Sequence, residues 1–287
     1  MKRVLLLVVI FALSIVPAFS QTSGPQPVIQ IFRETIKQGK GAAHEKAETD
    51  YVRALRKAKH PGHYVALSAM SGPSEAWFIG GYPSFAASEQ YQKESEKEPL
   101  KSELETAESR DGALRETSRS VWAVFRKDLS YRTDKWNPSK TRFVSVVTAR
   151  VRIGREEDMA TGAKMILGAL EKANIDTTML CYQVAAGGPA GTYLFFTPMD
   201  SMKGVDDAVA QQNAWAQAMG TDNFRQIMRG MGDIFVSIDT NLLSVNSRMS
   251  YPSKAVEDAD PGFWKPKPAA AKPAAAAKGA EKSAAKK

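Results

Sequence analysis

Shifted by 115 positions, the chain falls into register with itself. Gly39 meets Gly154, "ALRKA" at 54–58 meets "ALEKA" at 169–173, Gly72 meets Gly187, and Pro83 meets Pro198, all without a gap. Beyond Pro83 a shift of 114 brings Leu129 and Ser130 onto Leu243 and Ser244, and "PSK" at 138–140 onto "PSK" at 252–254. An ordered series of matches at one period is the mark of a repeated unit. We read copy one as 26–140 and copy two as 141–254. Such a unit must cover its apolar face, and the nearest cover is the other copy.

Both copies share one grammar. "VIQIFRETI" and "FVSVVTARV" are β-branched, alternating runs, as strands are. A glycine follows each, then a helical stretch. Ala43, Ala47, Tyr51, Ala54, Leu55 and Ala58 recur at helical spacing in copy one, and Met159, Ala163, Ile166, Leu167, Leu170 and Ala173 in copy two. "HYVALSAM" and "TMLCYQVA" read as second strands, "EAWFIGGY" and "TYLFFT" as third strands reached through Gly-Pro turns. A second helical region follows, spanning 94–119 in copy one with Pro99 as a break or first-turn residue. "SVWAVFRK" and "DIFVSID" close the copies as last strands. The order βαββαβ, twice, is the ferredoxin-like arrangement. The third strands are apolar on both faces, with Trp77 and Ile79 alternating with Phe78 and Tyr82. Such a strand is covered twice, by helices on one side and by the other copy's sheet on the other. The expected fold is therefore α+β. Two tandem ferredoxin-like repeats pack sheet to sheet as a pseudo-dimeric α/β barrel, followed by a disordered tail.

With its strand order and the strand–glycine–helix passages "RETIKQGKGAAHEKAE" and "TARVRIGREEDMATGA", the chain resembles the dimeric α/β-barrel superfamily. The likeness is to antibiotic-biosynthesis-monooxygenase-like and NIPSNAP-like domains in tandem. That resemblance implies a fold, and its members include cofactor-free oxygenases, haem-handling enzymes and binding proteins. In the haem-degrading members a strand asparagine and a helix histidine serve the site. Here the first strands carry no asparagine.

The formal charge of +8 points first to a nucleic-acid partner. Its placement does not. Lys2 and Arg3 carry two charges, the segment 265–287 a net six, and the body between them is neutral. A neutral body offers no phosphate-binding face, so no nucleic-acid partner is expected. Lys2 and Arg3 precede an apolar run of 13 residues interrupted only by Ser14, and Ala18-Phe19-Ser20 puts small residues where a signal peptidase reads. The run is short for a membrane span. Residues 1–20 are expected to be a signal peptide, and the mature chain an exported periplasmic or extracellular protein with no transmembrane segment. Residues 255–287 form a linker and a Lys/Ala/Pro-rich tail that cannot bury a core. The tail is read either as a contact to an anionic envelope surface or as solvated chain. Cys181 is the only cysteine, so no internal disulfide forms.

Few residues suggest chemistry. His44 sits early in the first helix where copy two has Met159. It is either a general base in a cleft or a half-buried histidine bonded to a neighbour. His60 and His63 read as turn residues around Pro61-Gly62, too few for a metal. Arg33, Thr148 and Arg150 share the face of Ile29, Ile31, Val144 and Val146. In an apolar cleft they would orient a ligand, and Arg suits a carboxylate. Otherwise they are strand ends reaching water, or Arg33 pairs with Glu34 or Asp239. Tyr64, Trp77 and Tyr82 line the same cleft or belong to the core. Cys181 reads as a buried, inert thiol. There is no phosphate-cradling loop, nucleophile elbow, zinc pattern or haem-attachment motif, so no cofactor and no metal is expected. Three functions stay open: a binding protein for a small, mostly apolar ligand between the copies, an oxygenase-like enzyme with His44 as base and Arg33 as anchor, and a structural envelope-associated protein.

Overall fold

The computed structural model describes residues 24–265. The expected signal peptide and the lysine-rich tail beyond Lys265 lie outside the described residues. The first half runs β1 (Val28–Ile36), α1 (Gly41–Ala58), β2 (Tyr64–Ala69), β3 (Glu75–Tyr82), α2 (Phe85–Ser95), α3 (Leu100–Gly112) and β4 (Arg115–Phe125). The second runs β5 (Phe143–Val151), α4 (Glu156–Lys172), β6 (Leu180–Ala186), β7 (Thr192–Met199), α5 (Lys203–Met219), α6 (Thr221–Ile234) and β8 (Phe235–Val245). Two short helices, α7 (Lys254–Ala259) and α8 (Pro261–Trp264), follow. "VIQIFRETI" and "FVSVVTARV" are β1 and β5 residue for residue. Gly39 and Gly154 turn each strand into its helix at φ +76° and +86°, a region that only glycine enters freely.

The eight strands close into an antiparallel barrel in the order β1-β3-β2-β8-β5-β7-β6-β4. The sheets are not merely pressed face to face, as the sequence suggested. They join edge to edge, β2 pairing with β8 from Leu67↔Val245 to Ala69↔Leu243, and β4 with β6 from Trp122↔Ala186 to Phe125↔Tyr182. Closure leaves no sheet edge unpaired. Alternation then sends one face of every strand inward. Ile31, Leu67, Trp77, Val146, Phe196 and Leu243 meet there, from both halves. The helices cover the outer face.

Two sequence expectations are corrected. Residues 94–119 are not one helical region: α2 stops at Ser95, Pro99 precedes α3, and β4 already begins at Arg115. Polar residues 115–119 misled the reading, because that end of β4 lies at the barrel rim and needs no apolar face. The 114 shift beyond Pro83 also fails. Leu129 follows β4 in a 3-10 turn, whereas Leu243 lies inside β8. Strand register instead sets the shift at 120: Arg115 pairs with Ile36 as Phe235 pairs with Val151. Hydrogen bonds repeat at that spacing. Ser130 accepts from the Cys181 amide and donates to the Arg126 carbonyl, and Ser250 accepts from Ala66 and donates to Asn246. Tyr131 bonds the Ile175 carbonyl as Tyr251 bonds that of His60. The segment after each half thus packs on the other half.

Gly187, at the β4–β6 seam, has φ +82°, and a Cβ there would lie 2.2 Å from the Ser120 carbonyl oxygen. Gly187→Ala is expected to cost at least ~3 kcal/mol, the strain of positive φ plus a backbone clash. Gly39→Ala, with φ +76° but no atom within 4 Å of the added Cβ, should cost about 1 kcal/mol. Denaturant unfolding of the two variants checks this, and equal losses would contradict it.

Candidate functional site

One end of the barrel holds an apolar cavity of about 370 Å³. Ile29, Leu67, Ile79, Val144, Leu180 and Phe196 form its floor, so both halves contribute. The linker 136–141, α7 and Trp264 form its rim. Trp264 is 1% exposed, and its indole N–H donates to the Ser139 carbonyl at 2.9 Å. Trp136 donates to the Thr141 hydroxyl at 3.1 Å. Tyr182, on the floor, donates to the Gln26 carbonyl at 3.0 Å. A partly open, mostly apolar hollow with a few fixed polar groups is what a small-molecule site looks like. A larger groove of about 540 Å³ between α1 and α3 is shallow and lined by charged surface side chains such as Arg53, Lys57 and Glu103. Its charged side chains are solvated and pair with one another, as Lys57 does with Glu103.

The residues singled out from sequence scatter. Arg33 does share the inward face with Ile31, but at the opposite end of the barrel. Its guanidinium donates to Glu75 at 2.6 Å and stacks 3.9 Å over the Trp77 ring, while the Trp77 indole N–H also donates to Glu75 at 2.8 Å. The carboxylate that Arg33 holds is therefore Glu75, not Glu34 or Asp239. Thr148 sits on the same inward face with a buried, unpartnered hydroxyl, and Arg150 is exposed. Trp77, 1% exposed, is core. Only Tyr64 of the expected binding residues borders the cavity, and its ring faces the helices against Phe78. The rim tryptophans, Trp136 and Trp264, lie in segments outside the repeat matches, so strand alternation has no means of finding them. His63 also borders it, with burial lowering its pKa. His60 is a turn residue, bonded to the Tyr91 carbonyl and Ser95. Cys181 is fully buried, and burial pushes its thiol up to about 12.

His44 is not in the cavity. It is 3% exposed in the layer between the barrel and its helices. Its Nδ1 lies 2.5 Å from Asp111 Oδ1, and its Nε2 lies 3.8 Å from Glu34 Oε2. Glu34 neighbours Arg33 on β1, so alternation puts it on the opposite face. His44 and Arg33 thus flank the sheet from two sides and cannot serve one cleft. Arg115 ion-pairs with Glu34, Asp111 and Glu108. Glu48, one helical turn beyond His44, is also buried. Burial, then the charges of Asp111 and Glu34, push its carboxyl up to about 9.

No protein-family model matches the chain, and no curated protein matches it by sequence. Solved structures match by fold. A candidate monooxygenase of Fusobacterium nucleatum subsp. nucleatum superposes with a TM-score of 0.50 at 11% identity, over 77% of this chain and 93% of that one. A variant chlorite dismutase of Candidatus Nitrospira defluvii gives 0.48 at 10%, over 77% and 92%. A candidate monooxygenase of Lactobacillus acidophilus NCFM gives 0.46 at 8%, over 77% and 94%. The Fusobacterium match carries the comparison, and at such identity it shows the fold alone: a ferredoxin-like α+β barrel. No helix among the described residues is long and apolar enough to cross a membrane.

Proposed function

We propose that this is an exported binding protein that takes one small, mostly apolar molecule into the barrel-end cavity between two tandem ferredoxin-like copies. The observation that carries the reading is the cavity itself: about 370 Å³, mostly apolar, with the Trp264 ring N–H at its rim and the Tyr182 hydroxyl on its floor already held by backbone carbonyls. A barrel serving only as scaffold would be filled, since a void forfeits packing. The basic and apolar leader supports export to the periplasm or the outside. The lysine-rich tail suits an anionic envelope surface. The oxygenase-like reading loses its stated machinery, because His44 and Arg33 lie on opposite faces of the sheet.

The test is binding of 1-anilinonaphthalene-8-sulfonate, an aromatic fluorophore with one sulfonate, with native mass of the protein from its own source read in parallel. One probe per chain is expected. Ala259→Trp, on an exposed helix position at the rim, should block entry and weaken the probe about tenfold with the fold unchanged. Absence of stoichiometric binding, or an unaffected Ala259→Trp protein, would overturn the reading.

A further inference from the structure

The acid–histidine cluster serves no part of the binding reading. Glu34, His44, Glu48 and Asp111 are all buried, and each offers one ligand atom within 4.8 Å of the others. They come from β1, α1 and α3, brought together only by the fold. His44 and Glu48 stand four apart on α1 and so share a face.

Three features separate this cluster from an ordinary buried ion-pair network. The first is what it leaves unsatisfied. His44 Nε2 and Glu34 Oε2 are buried without a hydrogen-bond partner, and both residues are more than nine-tenths buried. They face each other at 3.8 Å, a gap in which neither satisfies the other. The Tyr64 hydroxyl, in the same helix–sheet layer, is also buried and unpartnered. Buried polar atoms without partners are rare enough to call for an explanation such as an ion.

The second is charge. When ionised, the carboxylates of Glu34, Glu48 and Asp111 outweigh the one buried guanidinium, Arg115, by two charges, the arm to Glu108 being solvent-exposed. A dication brings that sum to neutrality.

The third is the other half of the molecule. At the same positions it carries Ala149 for Glu34, Met159 for His44, Ala163 for Glu48, Met231 for Asp111 and Phe235 for Arg115. There the same layer is plain apolar packing around Met159 and Val151. The fold therefore does not need polar groups here, and well-packed apolar side chains are commonly at least as stable as a buried ionic cluster.

We propose that the first half holds one divalent first-row metal ion, Zn²⁺, Mn²⁺ or Fe²⁺, ligated by His44 Nε2, Glu34 and Glu48. Asp111 is a positioning residue: it accepts the His44 Nδ1–H, which fixes the tautomer and leaves Nε2 to the metal, the usual carboxylate–histidine–metal relation. Arg115 holds the second oxygens of Asp111 and Glu34. One imidazole with carboxylates suits these ions better than Mg²⁺ or Ca²⁺, which favour all-oxygen sites. Ligand atoms bonded at about 2.1 Å stand about 3–3.4 Å apart when adjacent and about 4.2 Å when opposite, so the donor atoms, now within 4.8 Å of one another, would draw in by about an ångström through side-chain rotation. The site is buried, and with three protein ligands a second oxygen of Glu48 or a bound water would complete the coordination. The ion would clamp α1 to β1.

The mature protein, purified without chelator, is analysed for bound metal, then stripped and titrated with Zn²⁺, Mn²⁺ and Fe²⁺ salts separately. One equivalent of one ion is expected, with a rise in melting temperature. Co²⁺ substitution should give a visible d–d spectrum. Glu48→Gln keeps shape and removes a ligand charge, and should weaken binding at least tenfold. Asp111→Asn should weaken it about tenfold and shift the Co²⁺ spectrum, which loss of mere packing would not do. His44→Ala should abolish binding, with circular dichroism confirming the fold. No stoichiometric metal and no thermal shift at millimolar ion would overturn the proposal, leaving protons as what neutralises the cluster. Undiminished binding in Glu48→Gln would place any metal elsewhere and overturn it equally. Neither result bears on probe binding in the barrel cavity.

Discussion

Arg115→Met is expected to destabilise the metal-free protein by about 3–5 kcal/mol, the usual cost of removing one partner from a buried ion pair. Arg115 is the cation shared by Glu34 and Asp111, whose side chains are 7% and 2% exposed. Without it two carboxylates remain in a low-dielectric layer with only His44 to answer them. The exposed arm to Glu108, itself 59% exposed, should contribute little. A companion change isolates the cause. In Arg115→Met with Glu34→Gln, one stranded charge is gone, and part of the loss should return. Denaturant midpoints at neutral pH measure both. A loss under about 1 kcal/mol in the single variant would mean that water or protons already neutralise the cluster.

Trp264→Ala should be nearly as costly, about 3 kcal/mol or more, as truncating a buried tryptophan generally is. Trp264 is the last large side chain of the described fold, and it links α8 to the linker through Ser139. It also borders the cavity, so its loss should widen the mouth and weaken the fluorophore together with the fold. Trp264→Phe keeps most of the packing and removes the indole N–H. It should recover most of the stability while leaving the Ser139 carbonyl without that donor. An unchanged melting point in Trp264→Ala would show that α7 and α8 are not part of the cooperative unit.

Much of the fold was legible. Strand β1 and β5 were bounded by their β-branched alternation, and the 115-residue match of Gly39, Gly72 and Pro83 predicted two equal halves because each marks a turn the backbone must make. Past Pro83 the matches Leu129–Leu243 and "PSK" were coincidental. The true equivalents, Ser130-Tyr131 and Ser250-Tyr251, lie 120 apart, hidden by helices of unequal length in the two halves. Alternation groups Arg33 with Ile29 and Ile31 but does not say at which end of the barrel a residue lies, and its carboxylate partner Glu75 is 42 residues away.

By itself, then, the sequence determined the strands β1 and β5, the order βαββαβ in each half and the face that β1 buries, since turns, period and apolar alternation are local properties of a chain. Only the tertiary structure decided how edges pair into a closed barrel, where the cavity is left, and which titratable groups meet. Glu34 and Asp111 are 77 positions apart, and with His44 and Glu48 the cluster draws on three elements. No spacing pattern announces them, because closure of the first half, not proximity along the chain, brings their unsatisfied atoms together.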